Sequence, residues 1–197
     1  MYLNKYSIYR GDRMGKHKKI IAISGSIREA SSNTNILKAI SAFIPEGIDY
    51  SIYNGIKDLP HFNQDIDATE PPVVVENFRK TLSESHALII CTPEYAKGVP
   101  GVLKNALEWL VSSGELYKKP VAVITASPSI TGGDKAHESL LLTLEMIDTI
   151  IVENGSLLVP SVGTKFNDNA TVKDENTKQS LIDLINSLVY EINKEHN

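Results

Sequence analysis

Residues 19–34 read KIIAISGSIREASSNT, an apolar run that turns at Gly25 into a loop rich in hydroxyl groups. After this loop, apolar residues recur at helical spacing, at Ile36, Leu37, Ile40 and Phe43. The stretch therefore predicts a strand from Ile20 to Ser24, a polar loop, and a helix from about Thr34 to Phe43. Such a unit favours anion binding, because the N–H groups at a helix N-terminus are unpaired and the helix dipole is positive there.

The polar loop carries the hydrogen-bond donors that a phosphate group accepts. They are hydroxyl, amide and guanidinium groups, at Ser26, Arg28, Ser31, Ser32, Asn33 and Thr34. The stretch lacks both the G-x-G-x-x-G dinucleotide fingerprint and the G-K-[ST] end of a triphosphate loop. It therefore favours the phosphate of a mononucleotide. The alternative is an ordinary helix cap formed by Ser or Asn, with Arg28 as a surface charge.

Strand-like and helix-like segments alternate along the rest of the chain. Further strands are predicted at 48–53, 87–91, 121–125 and within 151–159. Further helices are predicted at about 73–84, from Pro100, after Gly133 and through 181–192, and a long polar connection spans 58–72. This alternation predicts an α/β fold, a flavodoxin-like three-layer sandwich whose five-stranded parallel sheet has the order 2-1-3-4-5, with helices on both faces.

That strand order also predicts where a ligand binds. In open parallel sheets, ligands bind beyond the strand C-termini where the winding direction reverses, which here lies between strands 1 and 3. The loops at residues 25–33 and 92–99 should therefore face each other. In the second of these, Pro93 and Pro100 stiffen the two ends, and Gly98 allows a ligand to approach the backbone closely.

Composition limits the class of protein. The 197 residues suit one domain or at most two small ones, and a single cysteine excludes an intrachain disulfide framework and a thiolate metal cluster. No run approaches the ~18 apolar residues of a membrane span. The formal charge of −4 argues against nucleic acid or an anionic membrane as a partner. We expect a soluble, cytoplasmic protein in which 16–197 form one domain and 1–15 form an extension, either disordered or an upstream start that the fold does not need.

Two motifs together resemble a known family. They are G-S-x-R-x-x-S-x-N from Gly25 and P-E-Y-x-x-x-x-P-G-x-L-K-N-A-x-x-W from Pro93. In combination they are similar to the NADPH-dependent FMN reductases, which include quinone, azo-dye and chromate reductases of flavodoxin-like fold. The resemblance covers about Ile20 to Leu158.

The resemblance implies non-covalently bound FMN, with NADPH or NADH as the electron donor. It implies a set of phosphate contacts at Ser26, Arg28, Ser31 and Asn33, with Ser32 and Thr34 nearby. It implies that the isoalloxazine ring is bordered by Pro93, Glu94, Tyr95 and the following backbone, Ala96 and Gly98 included. A third loop would contribute Ser127, Gly132 and Gly133. Many members of the family carry Asn where this chain has Ala96, so we expect a side-chain contact there to be lost or supplied by the backbone.

The implied activity is reduction of flavin, quinone, azo or metal-oxyanion acceptors by a ping-pong hydride transfer. No catalytic protein residue is needed, because the hydride moves at the cofactor, and Glu94 is set aside as an acid or base. We expect a homodimer or homotetramer, with the helix after Pro100 and residues 58–72 near the partner. Trp109 on that helix would serve either helix packing or a subunit contact.

Several reactive residue types receive a plainer interpretation. Cys91 ends an apolar strand and is expected to be a buried hydrophobe. His61, His86 and His137 lack metal-ligand spacing and are expected at the surface or in caps, so no metal site is predicted. Two other function classes remain open: an electron-transfer flavodoxin without its own NAD(P)H site, and a binding module that kept the fold and lost the cofactor, for which Ala96 leaves room.

Overall fold

The structure is a computed structural model that describes residues 18–167 and 171–194, so the predicted extension at 1–15 lies outside the described residues. Five strands form one sheet, namely β1 (Lys18–Ser24), β2 (Ile48–Tyr53), β3 (Ala87–Thr92), β4 (Pro120–Ala126) and β5 (Ile150–Val159). All neighbouring strands are parallel, and their order is β2-β1-β3-β4-β5. The predicted flavodoxin-like order is therefore confirmed.

The described ranges contain six α-helices, five of them between strands and the last after β5. They are α1 (Ser32–Ile40), α2 (Gln64–Asp67), α3 (Val73–Ser83), α4 (Gly101–Glu108), α5 (Asp134–Met146) and α6 (Glu175–Asn193). The sequence predicted five, because the single turn of α2 lies inside the long polar connection and has no apolar periodicity. Over the part of the chain that the structure describes, none of these helices has the length and apolar character needed to cross a bilayer.

Two helix starts differ from the prediction. Helix α1 begins at Ser32, two residues ahead of the predicted Thr34, because the Ser31 hydroxyl accepts the Thr34 N–H and caps the helix. It ends at Ile40, and the last predicted turn is a 3₁₀ helix over Ser41–Phe43. Pro100, expected at the first helical position, is instead the capping residue of α4.

The helices cover both faces of the sheet. On one face, side chains of α3, α4 and α5 pack against alternate residues of the central strands, such as Ile21, Leu88 and Val123. On the other face, α1 and α6 pack against the intervening residues, such as Ile20 and Ile89. Strands β3 and β4 are buried along their whole length, which explains why they read as continuous apolar runs. Edge strand β2 alternates in exposure instead, as its sequence predicted.

Trp109 packs inside the chain. Its side chain is fully buried, its ring meets the Phe62 ring edge-on with centroids 5.1 Å apart, and its Nε1 donates to the Pro60 carbonyl at 2.9 Å. Asn105, one helical turn earlier, donates to the same carbonyl at 2.9 Å. The helix-packing alternative for Trp109 is therefore confirmed and the subunit contact is wrong, because nothing of the ring is left for a partner to cover. Its function is to fix the long connection at 58–72 against α4.

Candidate active site at the carboxyl edge of the sheet

The central strands end at the same level. Ser24 pairs with Cys91, Thr92 with Thr125, and Ala126 with Val159. Three connections therefore leave from one edge of the sheet, and we name them loop 1 (residues 25–31), loop 2 (93–100) and loop 3 (127–133). The reversal of strand order lies between β1 and β3, so loops 1 and 2 flank the predicted switch point.

Gly25 allows β1 to end against β3 without a gap. Its N–H donates to the Cys91 carbonyl at 2.8 Å, which continues the β1–β3 hydrogen bonding into loop 1. A Cβ at this position would lie 2.2 Å from the Thr92 hydroxyl oxygen and 2.9 Å from a Leu103 methyl carbon. Only glycine fits, because those atoms come from a buried strand and a buried helix face.

Hydroxyl groups fix the shape of loop 1. The Ser24 hydroxyl donates to the Ser26 carbonyl at 3.1 Å and accepts from the Thr34 hydroxyl at 2.9 Å. Thr34 thereby uses its only hydroxyl proton inside the protein, and it has only lone pairs left for a ligand. Its side chain supports the loop and is not arranged to donate to a phosphate. Ser31 accepts the Thr34 N–H at 3.3 Å and keeps its own proton available.

The side chain of Asn33 faces the sheet, so a phosphate contact at this residue is proposed only for its backbone N–H. Its side chain is buried, Nδ2 donates to the Ala126 carbonyl at 3.4 Å, and Oδ1 accepts from the Cys91 thiol at 3.3 Å. The amide thus ties α1 to the ends of β3 and β4, and only the backbone N–H of Asn33 points to an anion role. Cys91 is fully buried as predicted, and burial raises the pKa of its thiol.

A set of donors remains at the start of α1. The backbone N–H groups of Ser32 and Asn33 have no acceptor among the described residues. Arg28 is exposed, and in the described ranges no carboxylate lies within ion-pair distance of its guanidinium. The hydroxyl groups of Ser26, Ser31 and Ser32 are further hydrogen-bond donors in this set. Unpaired N–H groups, hydroxyls and a guanidinium at a helix N-terminus fit a phosphate group, so the donor set of this loop suits the phosphate of FMN.

Loop 2 contains a tight turn with unusual backbone angles. Tyr95 and Gly98 exchange both N–H to carbonyl hydrogen bonds at 3.0 Å, and the two residues between them have positive φ, 49° at Ala96 and 63° at Lys97. This is the pattern of a type I′ turn, which favours Asn-Gly because both central residues are left-handed. The Asn that many family members carry at the first position suits this backbone better than Ala96 does. The difference at Ala96 therefore includes backbone strain.

Glu94 is bonded to the start of α5. Its Oε2 accepts the N–H groups of Lys135 at 3.0 Å and Ala136 at 3.1 Å, and its Oε1 lies 3.7 Å from the Lys97 ammonium. The carboxylate is therefore engaged in holding the structure, which agrees with setting it aside as an acid or base. No sequence pattern predicts these bonds, since the partners are 41 and 42 residues away.

Loop 3 packs against the residues that follow β5, a neighbour that sequence reasoning missed. A Cβ at Gly132 would lie 3.2 Å from the Pro160 nitrogen, and the Ser161 N–H donates to the Ser129 carbonyl at 3.0 Å. Ser127 is buried, and its hydroxyl accepts the Ser129 N–H at 3.1 Å. The predicted contacts Ser127, Gly132 and Gly133 thus all lie on this loop, although the Ser127 hydroxyl oxygen already has a partner within it.

His137 is buried beneath loop 3, and its predicted surface or cap position is wrong. Nδ1 lies 2.8 Å from the Thr125 hydroxyl and Nε2 lies 2.7 Å from the Ser156 hydroxyl, so the ring joins β4, α5 and β5. Burial lowers the pKa of this imidazole. His86 is half-buried and accepts the Lys19 N–H at Nδ1. Within the described ranges, no group of three or more His, Cys, Asp and Glu side chains is placed to hold a metal ion.

The sequence matches a known family over most of its length. The model of the family described as NADPH-dependent FMN reductase matches residues 18–164, which contain all three loops. The chain belongs to this family. Membership makes the protein an oxidoreductase that uses FMN, with NAD(P)H as its electron donor.

Individual relatives of this FMN reductase agree with that assignment. A quinone reductase from Pseudomonas putida is 30% identical over 167 residues, covering 82% of this chain and 88% of the relative. An NAD(P)H-dependent FMN reductase from Pseudomonas aeruginosa is 30% identical over 163 residues, with the same coverage of 82% and 88%. Among solved structures, the flavoenzyme NAD(P)H:(acceptor) oxidoreductase FerB from Paracoccus denitrificans is 28% identical with a TM-score of 0.79, covering 89% of this chain and 97% of that chain.

The strained turn in loop 2 gives a stability prediction. Replacing Ala96 by Asn should raise the free energy of unfolding by about 1 kcal/mol, because left-handed backbone costs an ordinary residue roughly 1–2 kcal/mol and Asn tolerates it better. Urea denaturation measures the change. The matched control is Ala39→Asn in helix α1, where the same replacement should cost about 0.7 kcal/mol. Equal destabilisation at both positions would contradict the type I′ assignment.

Proposed function

We propose that the carboxyl edge of the sheet binds FMN with its phosphate at the N-terminus of α1 and its ring between loops 2 and 3. The observation that carries this placement is the set of unpaired donors around Arg28, Ser32 and Asn33, which the protein itself does not neutralise. Loops 2 and 3 suit the ring because they approach each other closely at Gly133 and Glu94, at the edge of the sheet beyond β3 and β4.

Bound FMN supplies the two-electron chemistry, and the residues of this chain orient the reactants around it. The donors of α1 hold the phosphate and so fix the depth of the cofactor. Loops 2 and 3 would border the ring, and hydrogen bonds that the protein already makes hold these loops in shape, from the α5 N–H groups to Glu94 and between Tyr95 and Gly98. No acid or base in the chain is assigned to the reaction.

We propose quinones as the first acceptors to test, ahead of flavins, azo compounds and metal oxyanions. Each of the three loops exposes one large apolar side chain to solvent: Ile27 is 59% exposed, Tyr95 45% and Ile130 87%. A flat, uncharged ring gains from such a rim, whereas a hydrated metal oxyanion does not. The relatives named quinone reductase are consistent with this choice.

We also propose a homodimer or homotetramer that covers the open side of this edge, with α4 and residues 58–72 near the partner and Trp109 outside the interface. The proposal that 16–197 act as one FMN-binding domain in the cytoplasm rests on the sequence argument. Neither nucleic acid nor a membrane is proposed as a partner.

Removal of Arg28 tests the phosphate position. Arg28→Ala should lower the affinity for FMN by roughly ten- to a hundredfold, because a hydrogen bond to a charged group contributes about 1.5–3 kcal/mol and about 1.4 kcal/mol corresponds to a factor of ten. Titration of the apoprotein by flavin fluorescence measures this. Riboflavin, which has the ring but no phosphate, is the control and should bind the variant as it binds the wild type. Equal losses for both flavins would show that the phosphate is placed wrongly.

Steady-state kinetics test whether donor and acceptor share one position. If NAD(P)H must leave before a quinone binds, double-reciprocal plots at several quinone concentrations should be parallel. The experiment uses the wild-type holoenzyme with NADPH and then with NADH. Intersecting lines, in the absence of substrate inhibition, would show a ternary complex and would rule out the shared position.

A further inference from the structure

Helix α5 lacks a capping side chain of its own. The residue at its N-cap is Gly133, with φ 88°, which has no oxygen to offer the first N–H groups of the helix. Helices α1 and α6 differ in this respect, because a side chain at the N-cap accepts a backbone N–H in each, from Ser31 in α1 and from Asp174 in α6. The start of α5 therefore depends on an acceptor from elsewhere in the protein.

Glu94 supplies that acceptor from loop 2. One carboxylate oxygen accepts two N–H groups of α5, from Lys135 and Ala136, at 3.0 and 3.1 Å. A carboxylate at a helix N-terminus also interacts favourably with the helix dipole. The side chain of Glu94 is only 12% exposed, so its carboxylate is largely withdrawn from water on the acceptor side of these bonds.

The same carboxylate contacts the strained turn. Its second oxygen lies 3.7 Å from the ammonium of Lys97, whose φ is 63°. Left-handed backbone at a residue with a side chain persists only where the surroundings hold it. Glu94 thus hydrogen-bonds to the helix that follows loop 3 and forms an exposed ion pair with the Lys97 side chain of the turn.

The two loops also approach each other closely at Gly133. A Cβ at Gly133 would lie 3.2 Å from the Cβ of Glu94 and 3.7 Å from its backbone nitrogen. Loss of the carboxylate would free the start of α5 from loop 2, and α5 could then move relative to that loop. Any change in their separation would change the slot between them.

We propose that Glu94 is a positioning residue that caps α5 across the site and thereby sets the spacing of the two loops that border the flavin ring. The role is exerted through α5 and the Tyr95–Gly98 turn, and Glu94 takes no part in hydride or proton transfer. The inference rests on the proposed placement of the ring between loops 2 and 3. It assigns to the carboxylate a function in flavin binding that differs from a direct contact.

The test compares two caps. Glu94→Ala removes the cap of α5, and Asp174→Ala removes the cap of α6. The control residue Asp174 lies outside the three loops, where its Oδ1 accepts the Thr177 N–H at 2.9 Å and pairs with Lys165 at 3.0 Å. Both variants should lose thermal stability. Only Glu94→Ala should also bind riboflavin and FMN about tenfold more weakly, by equal factors, and shift the visible absorption bands of the bound flavin.

Glu94→Gln completes the design and also serves if the alanine variant does not fold. Its amide oxygen still accepts from α5, so it should recover most of the riboflavin affinity and of the spectrum. Unchanged riboflavin affinity and spectrum in Glu94→Ala would overturn the proposal. If only Glu94→Gln folds, a loss of thermal stability with unchanged riboflavin affinity and spectrum in that variant would overturn it. A failure of the phosphate placement appears differently, as an Arg28→Ala variant that keeps its FMN affinity. A wild-type protein that binds neither flavin would overturn both.

Discussion

The close approach of Gly25 to Thr92 is the constraint on which the rest of the site depends. No side chain fits between the end of β1 and the end of β3, and the Gly25 N–H extends the hydrogen bonding of the two strands by one residue. Loop 1 can therefore leave the sheet only at the level where β3 and β4 also end. This brings the N-terminus of α1, with its unpaired N–H groups, to the same edge as loops 2 and 3.

Side chains that cross between connections hold this edge together. Asn33 reaches from α1 to Ala126 and Cys91, and Glu94 reaches from loop 2 to α5. These residues belong to the motifs that carry the resemblance to the FMN reductases. Their bonds show that part of each motif builds the fold of the site, while the donors that remain for a ligand are backbone N–H groups, hydroxyls and Arg28.

The sequence was sufficient for the architecture. Continuous apolar runs at β3 and β4 and the alternation at β2 predicted central and edge strands. The strand order then indicated the sheet edge at which we propose the site. The conformation of loop 2 could not be predicted, because neither Ala96 nor Lys97 favours positive φ. The cap that Glu94 provides was hidden as well, since its partners are distant in sequence and follow no spacing rule. For Trp109, the residue type alone could not distinguish a position in the core from one in a subunit interface, because aromatic residues are common in both.

The central claim is that this edge binds FMN and takes electrons from NAD(P)H at that place. Anaerobic mixing of the flavin-loaded protein with NADPH, followed by a quinone, tests it most directly. The account predicts that the visible absorption of the bound flavin bleaches rapidly and returns when the quinone is added. A flavin that stays oxidised in the presence of either NADPH or NADH would identify an electron carrier without its own donor site and would contradict the account, as would a protein that binds no flavin.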